Sequence, residues 1–151
     1  MQDTSKRIGV AVRAALIRDG KVFLAHRSPN MKSHPNTWEM PGGGVEYGEK
    51  NHEALVREVK EEHGVEIEVL DLLEISDGIR SDIGQHWVAV AYTCNIVSGE
   101  PEIAEPDNIQ AIGWYTLEEA DKLNLSEGTR KYLEKIKKNY PVEDGGLPQN
   151  W

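Results

Sequence analysis

The residues of this chain best suited to chemistry lie between Gly43 and Val65. A glycine-rich stretch runs to Glu49, and no helix breaker falls between Lys50 and His63. Gly64 stands where a C-terminal cap belongs, and Ala54, Leu55, Val56 and Val59 supply an apolar side. The segment therefore predicts a helix over 50–63. At roughly 100° per residue, Glu58 stands about 60° from Glu61 and about 40° from Glu62, so three carboxylates share one arc. The apolar residues take the neighbouring arc, which buries the helix while the acidic stripe faces a cleft. Like charges within one turn repel, and the arrangement is unfavourable unless a cation neutralises them or some stay protonated. Carboxylate oxygens suit Mg²⁺ or Mn²⁺, which keep octahedral positions for water and substrate phosphates. A merely solvated acidic face is the bland alternative for such a run.

The wider spacing decides between the two. Gly43, Glu49, Arg57, Glu58, Val59, Glu61, Glu62, Gly64 and Val65 match the pattern G-x5-E-x7-R-E-U-x-E-E-x-G-U, with U apolar, at every fixed position. The segment thus resembles the box of the Nudix (MutT-like) hydrolases. The resemblance extends upstream through Trp38-Glu39-Met40-Pro41-Gly42-Gly43 and more loosely over the flanking strands, leaving the tail after Tyr140 uncovered. It implies an α+β fold, an α/β/α sandwich around a central mixed β-sheet. The implied activity is Mg²⁺-dependent hydrolysis of a nucleoside di- or triphosphate-type substrate by attack of water at phosphorus, with Mn²⁺ able to substitute.

Carried over position by position, the resemblance implies that Glu58, Glu61 and Glu62 hold the divalent ions, with the Gly42 carbonyl as a further ligand. Arg57 and Glu49 tie the glycine loop to the helix, and Gly43 and Gly64 are structural members of the motif. The general base is either Glu58 or a carboxylate outside the box. Glu105, before Pro106, is the best placed of those and a further candidate metal ligand; Glu100 and Glu102 are weaker alternatives. Arg27 resembles a position that contacts substrate phosphate. Trp38, Met40 and Trp87 are candidates to line a base pocket, of which Trp38 and Met40 are taken as substrate-binding, against the competing reading of all three as core. His86, before Trp87, reads as structural more readily than as an acid or base.

The elements that must position these groups can be read along the rest of the chain. Its 151 residues suit one domain over 1–151, and an apolar share of 38% in short segments is unlike a disordered composition. A net charge of −9 argues against a nucleic-acid polymer as partner, whose phosphates call for clustered Lys and Arg, but not against a small nucleotide bound through metal. Cys94 is alone and sits in an apolar run, so it reads as an inert core thiol. No signal peptide or membrane-spanning stretch is evident, so a cytoplasmic protein without membrane contact is expected. A homodimer is a family-level expectation with no segment to select its surface.

Ile8 to Arg18 and Lys21 to His26 read as a hairpin around Asp19-Gly20. Ser28 to Asn36 reads as a loop, and Thr37 to Met40 as an extended piece. Strands are expected over 66–75, 86–97 and 109–115, with Ser76 to Gln85 a polar loop. Thr116 and Glu119 have capping-box spacing for a short helix to Leu123, and a second helix is expected over 127–138. The tail 141–151 is expected to be mobile unless Trp151 docks.

Competing functions are an ADP-ribose or sugar-nucleotide pyrophosphatase and a catalytically silent nucleotide-binding domain. The first group often carries a proline about fifteen residues past the box, whereas this chain has Ile79-Arg80-Ser81 there. The second typically loses box carboxylates, which are all present here.

Overall fold

The computed structural model describes residues 6–151. Strands β1 (Ile8–Arg18), β2 (Lys21–Arg27), β3 (Trp38–Glu39) and β4 (Gly42–Gly44) precede helix α1 (Asn51–His63). Then come β5 (Glu66–Arg80), β6 (Gln85–Ser98), β7 (Ile109–Tyr115), α2 (Leu117–Asp121) and α3 (Glu127–Asn139). The sheet is mixed, in the order β3-β2-β1-β6-β5, with β4 on β1 and β7 on β2; β1 and β6 run parallel and the other pairs antiparallel.

Strand alternation divides the core into two layers. From β1, Val12, Ala14 and Leu16 pack with Ala54, Leu55 and Val59 of α1, whereas Ala15 and Ile17 pack with Tyr132, Leu133 and Ile136 of α3. Helices thus cover both sides of the sheet, giving the expected α+β sandwich. The hairpin turns at Asp19 (φ 53°) and Gly20 (φ 73°), positive-φ geometry that Asp-Gly readily adopts. Both Thr116–Glu119 capping-box bonds are present, and the Ser126 side chain caps α3 by accepting from the Thr129 N–H.

One expectation needs correction. Ser76 to Gln85 is not a loop. β5 continues to Arg80, paired with β6 as Ser76↔Ala89, Gly78↔Trp87 and Arg80↔Gln85, and the reversal occupies only Ser81 to Gly84. Its polarity reflects a cavity along one face of the strand, not solvent on all sides. The tail, in turn, meets its condition for docking. Leu147 is buried, the Gly20 N–H donates to the Gln149 carbonyl, and Trp151 Nε1 donates to the Ala15 carbonyl at 2.8 Å.

Candidate active site

β4 is the wall against which the site is built. Its α1 side meets the box carboxylates. The Gly42 N–H donates to Glu62 Oε1 at 3.0 Å, and Glu58 lies so close to Gly43 that a Cβ there would overlap its carboxyl group. Gly42 has φ 150°, and a side chain at it would collide with the Val12 carbonyl. Glycine is therefore required at 42 by the backbone and at 43 by a functional side chain.

Arg57 ties this wall to the helix. Its Nε and Nη2 donate to Glu49 at 2.7 and 2.8 Å, and Nη2 also reaches the Gly44 carbonyl at 3.1 Å. Nη1 donates to Glu58 at 3.1 Å and to Glu61 at 3.2 Å. The guanidinium bonds, followed by the Glu46 N–H, hold the Glu49 carboxyl down to about 2, while Glu49 in turn raises the Arg57 pKa. The fork geometry makes this a positioning unit instead of an isolated surface pair.

Burial pushes Glu62 up to about 8, opposed by Arg13 and the Gly42 N–H and reinforced by Glu58 and Glu39. Burial likewise raises Glu58, against Arg57 and with help from Glu61 and Glu105. Glu61 is half-exposed. Among the described residues, no three His, Cys, Asp or Glu side chains meet at metal-binding spacing. The donor set nevertheless fits a hard cation. Glu58 and Glu62 are oxygen donors on adjacent helical turns, each penalised as an anion by burial and by neighbouring carboxylates, Glu61 and Glu105 for the first and Glu58 and Glu39 for the second, which is the condition a divalent ion relieves.

Glu105 is brought to this side by backbone docking. The Glu102 N–H donates to the His63 carbonyl at 3.0 Å and the Ala104 N–H to the Glu62 carbonyl at 2.9 Å, which sets the segment on the end of α1 and Glu105 within the field of Glu58. Glu100 instead pairs with Arg18, while the Glu102 carboxyl sits beside Gly64, whose φ of 70° and N–H to the Lys60 carbonyl close the helix. His63, to which the sequence assigned no role, is fully buried, with Nδ1 2.9 Å from the Glu102 carbonyl and its ring edge-on to Phe23. Burial lowers its pKa, and the neutral ring donating from Nδ1 suits that contact.

The opposite side of β4 lines a cavity of about 280 Å³. Arg13 and Arg27 both reach Glu39 Oε1, at 3.2 and 2.8 Å, so one nearly buried carboxylate serves two guanidiniums. Burial alone would lower the Arg13 pKa, yet Glu39, then Glu62, outweigh it and hold it raised. Arg27 is thus in the cavity wall, further fixed by donation to the Ser33 carbonyl. Arg13 and Glu39 were missed in the sequence, although each is a charge inside an apolar strand, a signal that calls for a partner. Trp38 and Met40 do not line this cavity. Met40 is wholly buried in the α3-side core, and Trp38 stacks on His26. Of the three base-pocket candidates, Trp87 lines it; His86 alternates to the other face of the sheet.

The strand of glycines has a half-buried carboxylate pair on one side, oxygen donors of the kind a hard cation takes, and paired guanidiniums on the other, N–H donors of the kind phosphate takes. The NUDIX domain model matches residues 7–136, and the chain belongs to the Nudix hydrolase family. It is 34% identical over 122 residues to a nucleoside triphosphatase NudI of Salmonella agona, covering 76% of this chain and 86% of that one. It is 30% identical over 131 residues to an ADP-ribose pyrophosphatase of Methanocaldococcus jannaschii, covering 87% and 72%. A putative nudix hydrolase 1 of Caenorhabditis elegans is 38% identical over 109 residues, 71% of this chain, but the match spans only 28% of that protein. In structure, a MutT NUDIX hydrolase of Burkholderia pseudomallei superposes with a TM-score of 0.78 at 36% identity, covering 87% of this chain and 99% of that one. No helix among the described residues is long and apolar enough to cross a membrane.

Proposed function

We propose that the chain is one Nudix domain over 1–151, of which residues 1–5 lie outside the described residues, and that it hydrolyses a phosphoanhydride of a nucleoside di- or triphosphate-type substrate with Mg²⁺, for which Mn²⁺ can substitute. The observation that carries this reading is the half-buried pair Glu58 and Glu62 set against Gly43 and Gly42. Glu58, Glu61 and Glu62, with the Gly42 carbonyl and Glu105, would hold the cation. When bound, the divalent ion supplies Lewis-acid polarisation of the phosphoryl oxygens.

The chain's own residues do the rest. Arg57 and Glu49 fix the distance between helix and glycine strand. Arg13 and Arg27, sharing Glu39, leave one positive charge in surplus to meet phosphate in the cavity. Glu58 accepts the proton of the attacking water, with Glu105 the alternative base. The NudI relative favours a nucleoside triphosphate, and the relative named ADP-ribose pyrophosphatase is the reason to keep a nucleoside-diphosphate linkage as second reading.

The test is a product-identified panel of standard and oxidised nucleoside triphosphates, ADP-ribose, sugar nucleotides and dinucleoside polyphosphates, with and without Mg²⁺. Glu62→Gln is expected to lose on the order of a hundredfold or more in turnover at saturating Mg²⁺. Full turnover in that variant would remove Glu62 from the metal site.

A further inference from the structure

We propose that the cavity face around Trp87 is a nucleobase site, with the Trp87 indole as stacking platform and the Gln85 side-chain carbonyl reading an amino or ring N–H donor on the base edge. The proposal rests on the nucleotide-hydrolase reading above and names the part of the substrate that reading leaves open.

Trp87 differs from the other three tryptophans in having no ring or cation partner among the described residues. Trp38 stacks on His26 and meets Tyr115 edge-on, Trp114 lies between Phe23 and Arg18, and Trp151 packs on Tyr140. The Trp87 indole instead lies over Gly9, its register partner on β1. A Cβ at Gly9 would come within 2.5 Å of Cζ3, 2.6 Å of Cε3 and 3.0 Å of Cη2. A Cβ at Gly44 would stand 3.6 Å from the same ring. Glycine at both positions lets the indole lie down on the sheet with its outer face to the cavity, and the flanking partner on β5 is Gly78. An unpaired aromatic face over a cavity is what a stacked base requires.

Gln85 supplies a second, independent observation. It lies two residues before Trp87 on the same face of β6 and lines the same cavity, and its Oε1 is buried with no hydrogen-bond partner. A buried carbonyl oxygen without a donor is rare in a folded protein and marks a position where a ligand can donate. The geometry also leaves room for the remainder of a nucleotide. Gly9 and Arg13 are four residues apart on β1, about 13 Å at strand spacing. The base would sit over Trp87 and the phosphates would run along the glycine strand toward Arg13 and Arg27.

The test separates base recognition from hydrolysis by using nucleoside monophosphates, which contain no anhydride. Binding of AMP, GMP, purine riboside monophosphate and ribose 5-phosphate is measured by calorimetry on the whole chain and on Trp87→Ala, Trp87→Phe and Gln85→Leu. Base stacking predicts that Trp87→Ala weakens AMP and GMP about tenfold to a hundredfold. Trp87→Phe should stay within about threefold, and ribose 5-phosphate should change less than about twofold in any variant. AMP should bind better than purine riboside monophosphate, which lacks the amino group, and Gln85→Leu should abolish that preference. Wild-type protein that binds monophosphates no better than ribose 5-phosphate would overturn the proposal. So would folded Trp87→Ala with wild-type affinities, or Gln85→Leu with an unchanged preference. Trp87-dependent binding without turnover of any anhydride would uphold the base site and remove the hydrolase reading.

Discussion

On the α1 side of Gly42–Gly44, the polar groups come mostly from one helix and the loop before it; on the α3 side they come from several strands, a loop and the start of α3. The difference governs how each side tolerates change. Glu58 and Glu62 are held as ends of flexible side chains against glycine backbone, with Arg57 as the clamp. Arg13, Arg27 and Glu39 are held in the sheet, two guanidiniums on one carboxylate that is 6% exposed. Under the proposed function the first arrangement is the one that would hold the cation. The second is part of the folded scaffold, and its charges cannot be rearranged without disturbing the sheet.

A loss of several kcal/mol follows from that contrast. Glu39→Gln leaves Arg13 and Arg27 without their shared anion in a poorly hydrated place, and removal of one member of a buried ion pair costs about 3–5 kcal/mol. Urea unfolding should show that loss, whereas a change below about 1 kcal/mol would mean that water or Glu62 compensates Arg13. On the other side the sign reverses, because Glu62 is destabilised as an anion. Its carboxyl is held near 8 in the folded chain against about 4.3 for a free glutamate. Between those values the unfolded state has lost the proton and the folded state keeps it, so stability falls as pH rises through the window. At most about 1.4 kcal/mol per pH unit is involved, on the order of 3 kcal/mol in all once solvent reaching the rim is allowed for. In EDTA the melting temperature should fall from pH 5 to pH 8, Glu62→Gln should flatten the slope, and Mg²⁺ should restore stability at pH 8 to the wild type alone. An identical slope in wild type and variant would disprove the assignment to Glu62.

The two neighbouring glycines sharpen the comparison at single-residue scale. A methyl at Gly42 would strike the Val12 backbone and require φ near 150°, so Gly42→Ala is expected to unfold or severely destabilise the chain. A methyl at Gly43 would meet the movable end of Glu58 instead. Gly43→Ala should therefore keep a near-native melting temperature and lose about tenfold to a hundredfold in kcat, read as a kcat effect with KM little changed. Equal destabilisation by both would show that Glu58 is as rigid as the strand.

The same contrast explains what could be read from the residues alone. The α1 side is encoded in contiguous sequence. Helix phasing, the Gly64 cap and the Arg57–Glu49 spacing are local signals, and the structure preserves them. The α3 side is assembled across long separations. Arg13, Glu39, Gln85 and Trp87 acquire meaning only when β1, β6 and the short strands are in register, and no local pattern fixes which strands pair. Met40 was legible as either pocket or core, and the structure takes the core reading. The arm Ser76 to Arg80 failed for a related reason, its polar residues facing a cavity wall that other elements complete.

The smallest effect tests whether the tail belongs to that second side. Leu147 is part of the α3-side core, with Trp151 packed against it, while the Trp151 N–H caps the Ala15 carbonyl on β1. Trp151→Ala removes that hydrogen bond and an edge-on contact with Tyr140 at 4.9 Å, worth about 1–2 kcal/mol together. The loss should be uneven. Amide exchange should accelerate in α3 and around Ala15, which share the layer, and stay near wild type in α1, whose buried residues pack on the opposite face with Val12 and Leu16. Uniform acceleration would mean that the two layers open as one unit, and that the division at the glycine strand is a feature of chemistry without a counterpart in stability.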